Sequence, residues 1–334
     1  MRLAVVGTGN IVKKFLYGVS KTKSWQCVGV CSRTQESAQK FIDTCDSLDK
    51  GIVTIFTNYD EMLNSTDIDM VYVALPNSLH YEYSKKALLA GKHVICEKPF
   101  TVLAEETAEL IKIAKENKLY LFEAITTRNL PNYQIVQEKL SLIGPIRMVQ
   151  CNFSQYSSRY DEYLAGGLPH VFNPEYAGGA LNDLNVYNLH FVMGLFGKPL
   201  GGAYYARMGR NDIDLSGVAI LEYKGFQAVL AGAKDSSSPN QALIQGENGY
   251  IRVVGESSRC RLVEVSVRDL GAVGHGAADK SMIDTLGAEQ TEDNVLYYEV
   301  QEFERIINEQ DYEACEQKMT ESLEVMEVLE MLRV

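Results

Sequence analysis

The sequence predicts a two-domain α/β protein: an N-terminal doubly wound parallel sheet, followed by an α/β domain with a large, mostly antiparallel open sheet. Short apolar runs alternate with helical segments as far as residue 124, which is typical of a parallel sheet. From residue 146 onwards, longer segments alternate apolar and polar residues, as strands with one exposed face do. The 334 residues suffice for two domains, which we place at 1–123 and 124–334.

The chain opens with a buried strand and a glycine turn. Leu3-Ala4-Val5-Val6 is a continuous apolar run, which predicts a strand buried on both faces. Gly7 and Gly9 permit a sharp turn, and a helix is predicted from Ile11. Because N–H groups at a helix start bind phosphate, we assign this turn to a dinucleotide. The residues so assigned are Gly7, Thr8, Gly9, Asn10 and Ile11. Val12 replaces the usual third glycine, and a turn that binds nothing is the alternative.

Five further apolar runs predict the remaining strands of the first sheet. They are 26–31, 53–56, 69–75, 92–96 and 119–124, with helices predicted at 35–50, 59–63, 80–91 and 105–117. In a doubly wound sheet, ligands bind beyond the carboxyl ends of the strands. We therefore expect four turns to line one crevice: the Gly7 turn, Ser32-Arg33, Leu75-Pro76-Asn77 and Glu97-Lys98-Pro99.

The end of the second predicted strand bears on the choice of coenzyme. In dinucleotide folds this position faces the adenosine ribose, where a carboxylate binds the 2′-hydroxyl of NAD. The sequence has no carboxylate here, and Arg33 offers a planar set of donors that suits a phosphate. We therefore favour NADP(H) over NAD(H). The alternatives are that Arg33 is solvated, or stacks on the adenine of either coenzyme.

Composition excludes several classes of partner. The formal net charge of −12 argues against nucleic acid and against an anionic membrane surface. No apolar run approaches the roughly 18 residues of a membrane span, and the first strand leaves no room for a signal peptide, so we expect a cytoplasmic protein. The seven cysteines are scattered without a C-x-x-C pair, which predicts reduced, buried residues and no metal site.

The second half of the chain carries fewer, longer elements. Strands are predicted at 146–153, 217–223, 227–231 and 249–254, with Lys224-Gly225 as a hairpin turn. A glycine-bearing helix is predicted over 178–197, and amphipathic helices over 297–308 and 316–333. One face of the sheet is then free to meet the cofactor crevice or a second subunit. His275 lies in a glycine-rich loop and has no assigned role.

Several motifs occur together in the order and spacing of one known family. They are GTGN at 7–10, Pro76-Asn77-Ser78-Leu79-His80, Glu97-Lys98-Pro99, Glu123-Ala124, Phe172-Asn173-Pro174, and the run from Gly178-Gly179 through Asp183 to Tyr187. The chain resembles the glucose-fructose oxidoreductase/inositol dehydrogenase/MocA family, most closely its dihydrodiol and sugar dehydrogenase branch. The resemblance implies a Rossmann domain, a homodimer through the C-terminal sheet, and reversible hydride transfer between a nicotinamide and a carbinol carbon of a sugar, cyclitol or diol.

The same resemblance implies roles for individual residues. The family's catalytic lysine, aspartate and tyrosine fall on Lys98, Asp183 and Tyr187. Glu97 corresponds to a residue that binds the nicotinamide ribose, and His80 to a residue that supports the nicotinamide side structurally.

Three positions depart from the family pattern. Ala177 and Asn185 replace glycines, which we expect the helix start to tolerate. Ile125-Thr126-Thr127 replaces an aromatic near the substrate, which weakens the assignment to a dihydrodiol.

The chemistry of the three residues suits this reaction. Alcohol oxidation requires removal of the hydroxyl proton as the hydride leaves, and Lys98 can donate to the substrate oxygen. Asp183 and Tyr187 are four apart and share a helix face, so one can orient Lys98 while the other transfers the proton. The alternatives are a surface lysine, a helix N-terminal aspartate and a core tyrosine.

Candidate substrate contacts come from a polar loop and its neighbours. They are Tyr156, Arg159, Tyr160, Phe172, Asn173 and His190. His190 lies three residues beyond Tyr187, and a structural histidine is its alternative. A competing function from another class is a dinucleotide-binding sensor or regulator that has kept the fold and lost turnover.

Overall fold

The computed structural model describes residues 1–268, 281–286, 290 and 292–333, and only the backbone of 281–286. The strands are β1 (Arg2–Val6), β2 (Gln26–Cys31), β3 (Thr54–Phe56), β4 (Met70–Val73), β5 (His93–Glu97), β6 (Leu121–Ala124), β7 (Ile146–Ser154), β8 (Gly201–Met208), β9 (Asp214–Tyr223), β10 (Phe226–Ala233), β11 (Gln241–Gly246), β12 (Gly249–Val254), β13 (Leu262–Arg268) and β14 (Ser281–Leu286). The α-helices are α1 (Asn10–Ser20), α2 (Gln35–Asp43), α3 (Tyr59–Asn64), α4 (His80–Leu89), α5 (Ala104–Glu116), α6 (Pro131–Lys139), α7 (Tyr160–Leu164), α8 (Val186–Phe196), α9 (Leu296–Asn308) and α10 (Tyr312–Leu332). His275 lies outside the described residues.

The first sheet has the predicted doubly wound form. Its six strands are parallel and follow the order β3-β2-β1-β4-β5-β6. β1 and β4 are buried along nearly their whole length, as their unbroken apolar runs predict. The predicted parallel sheet is confirmed.

The second sheet has eight described strands in the order β14-β13-β12-β11-β7-β10-β9-β8. All neighbours are antiparallel except β7 and β10, so the prediction of a mostly antiparallel sheet is confirmed. Lys224-Gly225 joins β9 to β10 as the predicted hairpin turn, with Gly225 at φ +94°. Four of these strands were predicted from the sequence. The strands β8, β11, β13 and β14 were not predicted, and two of them begin or end on glycine.

The chain divides into two compact units. One comprises Met1–Ile125 with Asn294–Glu327, and the other Thr126–Asp293 with Val328–Val334. The predicted boundary after residue 123 lies two residues before this division, but residues 294–327 were predicted in the second domain and fold with the first.

Contacts of the C-terminal helices explain this difference. A Cβ on Gly18 of α1 would lie 3.0 Å from Val300 of α9, and the rings of Phe122 and Phe303 stack with centroids 4.4 Å apart. The Cys315 thiol of α10 donates to the Leu121 carbonyl oxygen of β6. The apolar stripe of a helix shows which face is buried but not against which sheet.

Two further findings concern the cysteines and the length of the helices. All seven cysteines are free and buried, as predicted. None of the helices in the described ranges is long and apolar enough to cross a bilayer.

Candidate active site

Four predicted turns lie at one edge of the first sheet. β2, β1, β4 and β5 are parallel neighbours, so the turns that follow them leave from the same edge. Main-chain hydrogen bonds link the first of these strand ends: the Gly7 N–H donates to the Cys31 carbonyl at 3.1 Å, and the Ala74 N–H to the Val6 carbonyl at 3.0 Å. The expected grouping of the Gly7 turn with Ser32-Arg33, Leu75-Pro76-Asn77 and Glu97-Lys98 at this edge is therefore confirmed.

The glycine turn combines a tight position with an open one. Gly7 has φ +111°, and a Cβ there would lie 2.2 Å from the Ala74 carbonyl oxygen. Gly9 has extended backbone, and apart from its chain neighbours no atom of the described residues lies within 4 Å of the place where its Cβ would stand. α1 starts directly after Gly9, with no side-chain cap and no acidic residue in its first turn.

This turn fits the phosphates of a dinucleotide. Uncapped N–H groups and the positive end of the helix dipole face the open space beside Gly9. The loop itself is accessible, since Thr8 and Ile11 are half-buried and Asn10 is exposed. Val12, at the position usually occupied by a small residue, is fully buried in the core.

The second strand ends in an exposed arginine. The Ser32 N–H donates to the Phe56 carbonyl at 3.1 Å, which fixes the backbone at this point. The Arg33 side chain is exposed and makes no hydrogen bond or ion pair with any residue that the structure describes. Its guanidinium is therefore available to a ligand at this strand end.

His80 connects two of the turns. Its ring is fully buried, with Nδ1 2.9 Å from the Pro99 carbonyl oxygen and Nε2 2.8 Å from the Leu75 carbonyl oxygen. Burial lowers the pKa of His80, and these two carbonyl oxygens oppose that effect. The imidazole thus ties the turn after β4 to the turn after β5, in agreement with the structural role expected of it.

The turn after β5 exposes a single side chain. Lys98 is half-buried, whereas the residues on either side, 94–97 and 99–101, are buried. The buried Glu97 carboxylate accepts a hydrogen bond from the Tyr72 hydroxyl and another from the Lys98 N–H at 3.3 Å. Burial raises the pKa of Glu97, which the Tyr72 hydrogen bond opposes. Both contacts fix the peptide that carries Lys98.

Glu299 of α9 places another carboxyl group in the interior of this unit. It is 1% exposed, and both of its carboxyl oxygens lack a hydrogen-bond partner among the described residues. Burial raises its pKa well above the usual value, and the charge on Glu97 adds to this, while Lys318 opposes it. The folded protein therefore keeps the Glu299 proton to a higher pH than a solvated carboxyl group does.

A pH dependence of stability follows from Glu299. The folded state holds this proton above the carboxyl's ordinary pKa and the unfolded state does not, so the free energy of unfolding falls as pH rises from about 4.5. Glu299→Gln is expected to flatten this fall above about pH 4.5, measured by urea unfolding at a series of pH values. Glu313→Gln, the same change at an exposed position of α10, is the control. Parallel pH profiles for Glu299→Gln and the unmodified protein would contradict the assignment.

In the second unit, Asp183 and Tyr187 are the two partly exposed residues of an otherwise buried segment. Every residue from 178 to 193 is buried except these two, which are half-buried. The segment begins with a π-helical turn, Leu181–Asn185, and continues as α8. Side chains four apart remain on about the same side, so the shared face predicted for Asp183 and Tyr187 agrees with their common exposure.

Asp214 anchors the start of this segment. Its Oδ2 accepts hydrogen bonds from the Leu181 N–H at 2.6 Å and from the Tyr204 hydroxyl at 2.7 Å. Gly179 has φ +101°, and a Cβ there would lie 1.8 Å from Asp214 Oδ1. A glycine is therefore required for the carboxylate to reach the helix start.

The two departures at glycine positions are accommodated differently. Ala177 adopts a left-handed conformation, φ 51° and ψ 44°, at a modest cost for a residue with a Cβ. Asn185 is buried, and its Oδ1 accepts a hydrogen bond from Asn188 Nδ2 at 2.9 Å. It packs against Gly232 of β10, where a Cβ would lie 2.9 Å from Asn185 Nδ2. The expected tolerance of both changes agrees with these contacts.

Asp183 has a charged partner that the sequence did not predict. Lys234 follows β10, and its ammonium forms an ion pair with Asp183 Oδ2. Its side chain is 3% exposed, against 31% for Asp183, and Nζ lies 5.2 Å from the centre of the Phe172 ring. The available signal was a lysine directly after the apolar run Ala231-Gly232-Ala233.

Four of the six predicted substrate contacts, Tyr160, Phe172, Asn173 and His190, lie in the interior. Phe172 is fully buried in a cluster with Tyr160, Tyr163, Ile213 and Leu215. Asn173 is buried, and its side chain accepts a hydrogen bond from the Glu175 N–H at 3.0 Å. His190 is 1% exposed on α8, so its surroundings agree with the structural alternative.

The other two predicted contacts are exposed. The Tyr156 hydroxyl donates to Asp161 Oδ1 at 2.6 Å, and its ring meets Tyr160 edge-on at 5.4 Å. Arg159 lies 3.6 Å from Glu162 in an exposed ion pair. Tyr160 itself belongs to α7 rather than to a loop. These positions leave Tyr156 and Arg159 accessible to a ligand.

Two family models match the chain. Residues 1–125 match one described as an oxidoreductase family with an NAD-binding Rossmann fold, and residues 135–252 match a GFO/IDH/MocA C-terminal domain. Together they cover more than half of the chain.

Similar proteins include dehydrogenases of polyols and diols. The chain is 34% identical over 333 residues to scyllo-inositol 2-dehydrogenase (NADP(+)) IolU of Bacillus subtilis, covering 100% of this chain and 96% of that protein. It is 28% identical over 256 residues to trans-1,2-dihydrobenzene-1,2-diol dehydrogenase of Xenopus tropicalis, covering 75% and 74%.

Solved structures share the fold at lower identity. KijD10, a 3-ketoreductase from Actinomadura kijaniata in complex with NADP and TDP-benzene, superposes with a TM-score of 0.82 at 22% identity, covering 100% of this chain and 97% of that chain. Levoglucosan dehydrogenase in complex with NADH and levoglucosan gives a TM-score of 0.82 at 17% identity, covering 100% and 96%.

Proposed function

Because the chain belongs to the GFO/IDH/MocA family of oxidoreductases, we propose that it is an NADP(H)-dependent dehydrogenase that acts on a carbinol carbon of a cyclitol, sugar or diol. The observation that carries this proposal is the exposure of Lys98, Asp183 and Tyr187, each half-buried in a segment whose other residues are buried. A polar side chain that is partly exposed among buried neighbours is placed to contact a ligand. The relative with full-length similarity, which acts on scyllo-inositol, indicates the class of substrate.

The choice of coenzyme rests on the end of β2. Structures that share this fold hold NADP in one case and NADH in another, so the fold alone does not select between them. Arg33 is exposed there, and no carboxylate stands beside it in Ser32-Arg33-Thr34 to bind a ribose 2′-hydroxyl. A guanidinium at this point favours the 2′-phosphate of NADP(H).

Removing the Arg33 guanidinium is expected to weaken the binding of NADPH far more than the binding of NADH. Arg33→Ala should cost about 1.5 to 3 kcal/mol of NADPH binding free energy, about 10- to 150-fold in Kd, because a charge-assisted hydrogen bond is lost. The Kd for NADH should change little. Titration by coenzyme fluorescence measures both, with Arg147→Ala, an exposed arginine of β7, as control. If the unmodified protein binds the two coenzymes comparably, the basis for NADP preference is removed.

The chain's own residues supply three roles beside the coenzyme. The nicotinamide, when bound, accepts or delivers the hydride. Lys98 donates a hydrogen bond to the substrate oxygen and stabilises the negative charge that develops on it. Tyr187 transfers the hydroxyl proton as the acid or base of the reaction. Asp183 orients the donors around it.

A substrate panel tests this function directly. The purified protein is mixed with NADP⁺ or NAD⁺ and with scyllo-inositol, levoglucosan, D-xylose or a trans-dihydrodiol, and formation of reduced coenzyme is followed by absorbance. We expect turnover with at least one cyclitol or sugar, at a higher kcat/KM with NADP⁺. Tight binding of NADPH without turnover of any substrate in the panel would contradict the proposed enzymatic function and favour a sensor or regulator.

We also propose a cytoplasmic homodimer that associates through the second sheet. Ala242, Ile244, Ile251 and Val253 are buried on one face of β11 and β12. The opposite face presents partly exposed side chains: Gln241, Leu243, Gln245, Tyr250 and Arg252. This mixed polar and apolar face resembles the surface of a non-obligate interface. Light scattering of the purified protein measures the assembly.

A further inference from the structure

Lys234 is a buried cation with a defined counter-ion. It follows β10, and its backbone is fixed on both sides: its N–H donates to the Leu215 carbonyl at 2.8 Å, and its carbonyl accepts from the Ser157 N–H at 2.9 Å. β10 approaches the π-helical turn closely through Gly232. The side chain reaches Asp183 from the end of β10, with 3% of its surface exposed.

The Lys234 ammonium pairs with Asp183 in largely buried surroundings. Phe172 presents its ring 5.2 Å from Nζ, and that ring is fully buried. An ammonium in such a place requires a negative partner, because an uncompensated buried charge is strongly destabilising. Asp183 is 31% exposed, so it is the one member of the pair that also meets solvent.

We propose that Lys234 is a positioning residue that holds Asp183 as an ionised, immobile carboxylate, so that Asp183 accepts a hydrogen bond from a substrate hydroxyl and does not itself transfer protons. The inference rests on the proposed function and deepens it. Neutralising Asp183 would leave the Lys234 ammonium unpaired, which opposes protonation of the carboxylate. The proton of the reaction then passes through Tyr187, and Asp183 remains a fixed acceptor.

Other charged groups around the pair are identifiable. His170 interacts electrostatically with both Asp183 and Lys234. It also interacts with Glu162 of α7 and with Arg159, which directly precedes α7. Asp214, on β9, also feels the Lys234 charge. These groups remain in every variant below, so a change caused by Lys234 is measured against a constant background.

The first experiment follows the pH profile of kcat/KM with scyllo-inositol, or with the best substrate of the panel. In Lys234→Met, the acidic limb is expected to move up by about one pH unit or more, because an opposite charge no longer holds Asp183 ionised. Lys234→Arg should restore most of the original profile, and Lys224→Met, an exposed hairpin lysine, should leave it unchanged. A purely structural Lys234 would lower kcat at every pH without moving the limb, and that result would overturn the proposal.

The second experiment needs no substrate, so it separates the ion pair from the proposed function. Tm is measured for the full-length protein, for Lys234→Met, for Asp183→Asn and for the double variant. Asp183→Asn alone is expected to lose about 5 °C or more, since it leaves a buried ammonium unpaired, and the double variant should recover much of that loss. Additive losses would overturn the pairing. A silent substrate panel with a non-additive cycle would refute the proposed function and leave the pairing established.

Discussion

Replacing Lys98 by methionine is expected to lower kcat by about 10² to 10⁴-fold while leaving the Kd for NADPH within a few-fold of its original value. Methionine keeps the length and apolar stem of lysine and removes the ammonium. Lys98 is the half-buried residue between buried neighbours, and its peptide is held by the Glu97 carboxylate and by His80 through Pro99. The substitution therefore removes a charge at a fixed position rather than disturbing the turn.

Two measurements distinguish this role from a structural one. Single-turnover kinetics report the chemical step, and coenzyme fluorescence reports NADPH binding. Lys112→Met, at a 73% exposed side chain of α5, is the matched control and should change neither. Equal losses of turnover and of NADPH affinity in Lys98→Met would show that Lys98 contributes to coenzyme binding rather than to the chemical step.

Adding one methyl group at Gly7 is expected to destabilise the first unit by about 2 to 5 kcal/mol. A Cβ there would lie 2.2 Å from the Ala74 carbonyl oxygen, and φ +111° is a conformation that residues with a Cβ rarely adopt. The combined cost of backbone strain and of moving the end of β4 gives the stated magnitude. Urea unfolding, followed by the circular dichroism of the whole chain, measures the loss for Gly7→Ala.

Gly9→Ala is the matched change two residues later, with the opposite expectation. Its backbone is extended, and its Cβ would enter open space, so stability should stay within about 0.5 kcal/mol. The same methyl group occupies the approach of a phosphate to the start of α1, so the Kd for NADPH should rise by about 10- to 100-fold, or 1.4 to 2.8 kcal/mol. Unchanged NADPH affinity in Gly9→Ala would show that the phosphates lie elsewhere.

Local patterns in the sequence predicted most of the first unit. Each strand of a parallel sheet that is buried on both faces is a short apolar run. The strands β1, β2, β4 and β5 can therefore be recognised from their own sequences, without knowledge of the neighbouring strands. The turns after them share one edge as a consequence of parallel topology, which is why the placement of Gly7, Arg33 and Lys98 followed from the order of elements. Half-exposed strands such as β8, with Gly201-Gly202 at its start, carry weaker signals and were missed.

The sequence by itself determined the parallel sheet, the mostly antiparallel character of the second sheet, the glycine turn, the edge that carries Lys98, and the helical segment that carries Asp183 and Tyr187. Only the tertiary structure decided which elements pack together: α9 and most of α10 belong to the first unit, Glu299 is enclosed there, and Lys234 pairs with Asp183. The physical reason is that periodicity encodes which face of an element is buried, whereas the partner of that face depends on contacts between distant segments. The two members of this ion pair lie 51 positions apart, so the sequence shows a lysine after an apolar run but not which residue it pairs with.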